Sequence, residues 1–199
     1  MIRHFTIIII SYQLLASSCS TKIISNNYYQ LQKETVDDIE SRYEKLNALN
    51  PFAIAFTDKE FKIISIEMIS DTLTRIYEFN IDEQRLADTL LKYNYDTAGI
   101  YYLIKKMQQT KVAWINSVDY YVNDQPQQLI YLSIKPITIR YLFSPPKYIA
   151  LGYFRTAQSF DEKGRLLDNR RTKRIRKIKG QVFYKITDRI CYTITEKYR

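Results

Sequence analysis

At Asn50 and Pro51 the hydrophobic period of the chain changes, and that change limits the folds open to it. Upstream, Val36, Ile39, Tyr43, Leu46 and Leu49 recur at steps of three and four, which predicts a helix with one apolar stripe, capped at Thr35 and ended by the Asn50-Pro51 pair. Downstream, FAIAFT and FKIISIEMI are β-prone runs separated by Asp58, Lys59 and Glu60, the pattern of a hairpin with a short polar turn. The first run is apolar on both sides and is predicted to be buried. A helix laid against a hairpin already points to mixed architecture.

Three short helices are predicted next. Ser70 caps the first, with Leu73, Ile76 and Tyr77; Asn80 or Asp82 starts the second, with Leu86, Leu90 and Leu91; Asp96 or Thr97 caps the third, with Ile100, Leu103, Ile104 and Met107 on one face. None is long, so each must draw its stability from packing on a sheet. KVAWINSVDYYV, QLIYLSIKPI and KYIALGYFRTAQSF then read as three strands, the first two joined by a turn at residues 123 to 126. In the middle strand Ile130, Leu132 and Ile134 alternate with Tyr131, Ser133 and Lys135, which predicts one apolar and one more polar face. Around Asp188 and Arg189, QVFYKIT and ICYTITEK suggest a last hairpin with Val182, Tyr184 and Ile186 on one face.

The fold class expected is therefore α+β: an N-terminal helix, a hairpin, three short helices, a three-stranded antiparallel meander and a C-terminal hairpin. That order resembles a PAS domain over about residues 36 to 160, with LNALNPFAIAFTDKEFKIISIEMIS (46 to 70) similar to its opening and residues 111 to 158 to its closing meander. Ile66, Glu67 and Met68 stand where an Asn often follows the second strand, and Glu60 where a turn glycine is customary. The resemblance implies a sensory or protein-interaction module enclosing a ligand cavity, with Trp114, Tyr131 and Tyr153 near it. Aromatic residues favour strands in any case, so the same three also suit an ordinary core.

The opening stretch MIRHFTIIIISYQLLASSC bears on location. Arg3 and His4 precede an apolar run from Phe5 to Ala16, too short for a spanning helix, and Ala16, Ser17 and Ser18 lead directly to Cys19. It resembles the lipoprotein signal of bacteria, although Ala16 holds the place where Leu is usual. The resemblance implies a leader over 1–18 and a lipidated Cys19 as the new N-terminus. Period and charge divide the rest into a tether over 19–34, the folded domain over 35–160, a basic arm over 161–180 and the final hairpin over 181–199. Cleavage after Ser18 could instead release a soluble chain, and residues 5 to 16 could equally be a structural element of a cytosolic domain. Cys19 and Cys191 are the two cysteines, so a disulfide between them is a competing arrangement.

Charge is laid down unevenly. Residues 34 to 96 carry 14 Asp and Glu against 7 Lys and Arg, whereas 97 to 199 carry 7 against 20, so the net charge of +9 sits in the second half. Its densest part is RRTKRIRKIK, where Arg170, Arg171, Lys173, Arg174, Arg176, Lys177 and Lys179 are suited to anionic lipid headgroups or an acidic protein partner, with a plain solvated arm as the alternative. Nucleic acid is the least available of these partners if the chain is exported.

The chemistry of catalysis is thinly represented. The one histidine is His4, and without it a Ser-His-Asp triad, an imidazole base or an ordinary zinc site is out of reach. Gly99, Gly152, Gly164 and Gly180 are isolated, so no glycine-rich phosphate loop exists. Asp37, Asp38, Glu67, Asp71, Asp82 and Glu83 leave carboxylate catalysis open as the last-ranked reading, since such residues on helices are usually caps or solvated faces. No metal and no cofactor is expected, and Cys191 reads as a buried small hydrophobe. The expectation is thus a non-enzymatic envelope lipoprotein for ligand sensing or protein interaction, with a cytosolic PAS-like regulator as the alternative.

Overall fold

The computed structural model describes residues 2–122, 125–139, 147–166 and 182–195, with side chains described over 23–119, 127–134, 148–166 and 182–195. Two compact units separate, Met1–Glu34 and Thr35–Arg199. The first belongs to helix α1 (Ile2–Leu49), which continues into the second. The helix expected from Thr35 thus starts far upstream, and Thr35 is an interior residue rather than a cap. No glycine or proline stands before Pro51, so nothing in that stretch interrupts the i to i−4 ladder.

In the second unit the chain turns from helix to sheet on side chains of α1 itself. Asn47 accepts the Phe52 N–H at 3.0 Å, and the Tyr43 hydroxyl donates to the Phe52 carbonyl at 2.5 Å. Strands β1 (Phe52–Phe56) and β2 (Ile63–Ile69) form the predicted hairpin, with β1 buried throughout. The Asp58 carboxylate holds the turn by accepting from the backbone of Lys62 and Ile63. Burial opposes its ionisation, but those N–H donors outweigh it and keep the carboxyl below its usual range.

The first of the three expected helices is instead a strand, β3 (Thr74–Asn80), paired antiparallel with β2. Leu73, Ile76 and Tyr77 sit at helical spacing, yet Arg75, Tyr77 and Phe79 alternate with Thr74, Ile76 and Glu78, and pairing with β2 favours the alternation. Helices α2 (Gln84–Lys92) and α3 (Thr97–Thr110) follow, α3 on its expected cap and α2 starting past Asn80 and Asp82, with Glu83 as an N-cap whose side chain makes no capping hydrogen bond. Asp96 caps α3 by accepting from Gly99 N at 2.9 Å, and Ile100, Leu103, Ile104 and Met107 are all buried. In α2 Leu86 and Leu90 are buried, but Leu91 is exposed, contrary to the face expected for it.

Strands β4 (Val112–Val122), β5 (Gln125–Ile139) and β6 (Lys147–Phe154) form the meander, and β7 (Tyr184–Lys185) with β8 (Ile190–Thr195) forms the last hairpin. Among the described residues all strands join one eight-stranded sheet in the order β3-β2-β1-β4-β5-β6-β8-β7, every pair antiparallel. The class is α+β.

Both faces of this sheet are covered near its centre. On one, Phe52, Ile54, Ile66, Ile115, Leu132 and Leu151 share a face and are buried, as are Val36, Ile39, Tyr43 and Leu46 of α1, whose Tyr43 ring lies 5.1 Å from that of Phe52. Each such side chain, fully buried, contributes about 1.5–3 kcal/mol. The other face carries Val118, Leu129, Tyr131, Ala150, Phe154 and Cys191, closed over by Phe183 with Phe160 and Leu166 packed alongside. The polar side expected for β5 is therefore buried too: Tyr131 and Ser133 are both within the core. Phe183 is the inward residue of the last hairpin and Val182 is exposed, the reverse of the face predicted there. Gly152 permits this closure, because a Cβ on it would lie 3.2 Å from both Leu129 and Phe183.

Candidate functional site

A concave groove of about 450 Å³ opens where α1 ends beside the α2–α3 connection, lined by Leu46, Leu49, Asn50, Asn94, Tyr95, Asp96 and Ile100. That volume lies within the range of small-molecule sites. Its walls are fixed by hydrogen bonds. Asn94 adopts a left-handed backbone (φ 58°), which turns its carbonyl to accept from Asn50 Nδ2 at 3.0 Å. The Tyr95 hydroxyl donates to the Pro51 carbonyl at 3.0 Å, and burial raises its pKa, so it stays a protonated donor. Leu46 and Ile100 make an apolar floor, and Leu49, 75% exposed, forms an uncovered apolar rim. Asp96 adds negative charge, with one carboxylate oxygen engaged by Gly99 N. An apolar floor beside amides and a carboxylate suits a ligand with an apolar body and a hydrogen-bond-donating or cationic head.

The three aromatic residues expected near one cavity do not share a place. Trp114 and Tyr131 meet edge to face at 5.5 Å on the face closed by Phe183. Tyr153 pairs across from Ile130 on the opposite face, where its hydroxyl donates to Asp37 Oδ1 at 3.2 Å. It borders a cleft of about 20 Å³ with Glu40, Tyr43, Glu44, Ser117 and Arg155, room for about one water. Arg155 closes that cleft by donating to Glu44 at 3.0 Å. Glu40 beside it has a raised pKa, first from burial and then from the neighbouring Glu44 carboxylate.

The remaining candidates divide in the same way. Arg170, Arg171, Lys173, Arg174, Arg176, Lys177 and Lys179 lie outside the described residues, as does the side chain of Cys19. Asp37 and Asp38 serve different partners, Tyr153 and Tyr102, while Asp82 and Glu83 stand at the start of α2. Among the described residues no three His, Cys, Asp or Glu side chains gather as a metal site. Cys191 is buried, and burial pushes its thiol up to about 12, with Lys185 opposing, so it is not a nucleophile at neutral pH.

Sequence reasoning missed the groove because Asn50 read only as the end of a helix and Asn94 was not singled out. The available sign was that both ends carry asparagine, a residue that tolerates the left-handed backbone and keeps polar atoms for a partner. Comparison with protein-family models, with curated proteins and with solved structures gave no match. Among the described residues no helix is long and apolar enough to cross a membrane.

Proposed function

We propose that the chain is a recognition protein of the cell envelope, held at a membrane by a lipid on Cys19, whose folded part binds a small amphipathic ligand in the groove at the end of α1. The observation that carries the binding role is the groove itself: about 450 Å³, hydrogen-bonded into shape, with an apolar floor beside the Asp96 carboxylate. The leader-like stretch ending in Ala16-Ser17-Ser18-Cys19 supports the location. A PAS-like arrangement is the finer reading of the fold. Its support is the chain order of helix, hairpin, helices and meander, with β3 standing where the first short helix was expected.

Thermal melts of the full chain with medium-chain primary amines and amides test the binding role. A saturable rise in Tm is expected, because a ligand at one hundred times its Kd adds about 2.7 kcal/mol. Leu49→Glu should abolish the rise by charging the rim. Asp96→Asn should weaken amines selectively, since Asn still caps α3. A melt unmoved by every amine and amide, or a rise that both variants retain, would contradict the assignment.

A further inference from the structure

The sheet's edge strand carries a second arrangement, independent of the groove. On the helix side of β3, Arg75, Tyr77 and Phe79 stand in a row opposite Met68, Ile66 and Ile64 of β2. Tyr93, just past α2, reaches this row, and its hydroxyl lies 2.7 Å from that of Tyr77. Two phenols hold two protons and use one between them. Whichever donates, one O–H remains for an outside acceptor.

Two cations lie over the Tyr93 ring that carries one of these hydroxyls. The Arg75 guanidinium lies 5.2 Å from the Tyr93 ring centroid, and Lys92 Nζ lies 5.6 Å from it. Arg85 is the instructive contrast: it lies over Phe79 at 5.5 Å, but Glu83 engages its Nε at 2.7 Å. Among the described ion pairs none involves Arg75 or Lys92, and Glu78 projects to the other side of β3. Two exposed cations thus sit on one half-buried ring within a stretch, 34 to 96, that holds 14 acidic residues against 7 basic ones. Stacking on an aromatic ring steadies both heads, so less side-chain freedom is lost when they engage an anion. The Tyr93 phenol registers the local field: the Tyr77 hydrogen bond lowers its pKa first, burial opposes, and Arg75 and Lys92 lower it further.

We infer that Arg75, Lys92 and the Tyr77–Tyr93 hydroxyl pair form a docking point for a phosphate-class oxyanion, either a free phosphate or the headgroup of an anionic lipid. A phosphate offers several oxygens at fixed spacing, which allows one to face the guanidinium, another the ammonium and a third the phenol. A halide cannot do this. Each charge-assisted contact is among the stronger hydrogen bonds available to a surface site.

Titration of the full chain with pyrophosphate, followed by backbone amide NMR, reads the site directly. Saturable shifts are expected at residues 75, 77, 92 and 93. Arg75→Gln with Lys92→Gln should weaken binding at least about tenfold, and Tyr93→Phe about threefold, while the control Lys111→Gln should leave it unchanged. A parallel arm measures binding to vesicles of phosphatidylglycerol against phosphatidylcholine. Loss of either interaction in the double variant supports the site, and the arm that responds identifies the source of the phosphate. The proposal is overturned if a double variant with a wild-type circular dichroism melt binds both probes as the parent does. It is also overturned if the shifts are unsaturable and fall equally in Lys111→Gln.

Discussion

Tyr43 shows how much of this fold rests on single polar atoms in apolar surroundings. Its hydroxyl serves the carbonyl of Phe52, and burial pushes its pKa well above the ordinary tyrosine value. Tyr192 and Cys191 behave alike, both pushed up to about 12 by burial, with Tyr184 adding to the first and Lys185 opposing the second. In each case the folded chain keeps a proton that the unfolded chain has lost by roughly pH 9–10, so folding binds protons and stability must fall as pH rises through that window toward 12. The expected outcome is a lower urea midpoint at about pH 10 than at about pH 8, with a smaller drop in Cys191→Ala because one of these protons is gone. An equal or larger drop in the variant would show that Cys191 titrates as it does in the unfolded chain. Two other buried groups, Ser133 Oγ and Thr193 Oγ1, flank Ala150 across the sheet and have no hydrogen-bond partner among the described residues. Such hydroxyls cost stability where they stand.

At the scale of elements, sheet closure depends on a fit between Gly152 and Phe183. The added methyl of Gly152→Ala meets Leu129 and Phe183 at 3.2 Å, which neighbours relieve only by shifting, so a loss of about 1–3 kcal/mol is expected. In a Phe183→Leu background the same substitution should cost less, and a double-mutant cycle from urea melts would measure the difference. Strictly additive costs would mean that the ring does not depend on the glycine. The elements legible in the sequence are those whose pattern has one reading. FAIAF is apolar on both sides and buried, and α3 begins on an acidic cap and repeats at three and four. What misled was ambiguity of period and distance along the chain. Leu73, Ile76 and Tyr77 fit a helix as well as a strand, and only the partner β2 decides between them. The covered side of β5 was illegible because its lid, Phe183, lies some fifty residues away in sequence. For the candidate sites, Trp114 and Tyr131 do meet, but Tyr153 is turned to the other face by its place opposite Ile130, which is set by the register of β5 with β6.

For the whole molecule, charge and location belong to one argument. The acidic stretch 34 to 96 supplies the last third of α1, strands β1 to β3 and α2, and it lines much of the groove; most of the positive charge lies beyond it. Under the proposed envelope role, the basic half of the sequence is suited to anionic headgroups while the groove stays open to ligands. That picture requires a membrane anchor. The decisive measurement is intact-mass spectrometry of the chain recovered from its native cells after membrane and soluble fractions are parted. The account predicts a membrane-bound species that begins at Cys19 and carries added acyl mass. A soluble chain retaining Met1 and residues 2 to 18 would contradict it.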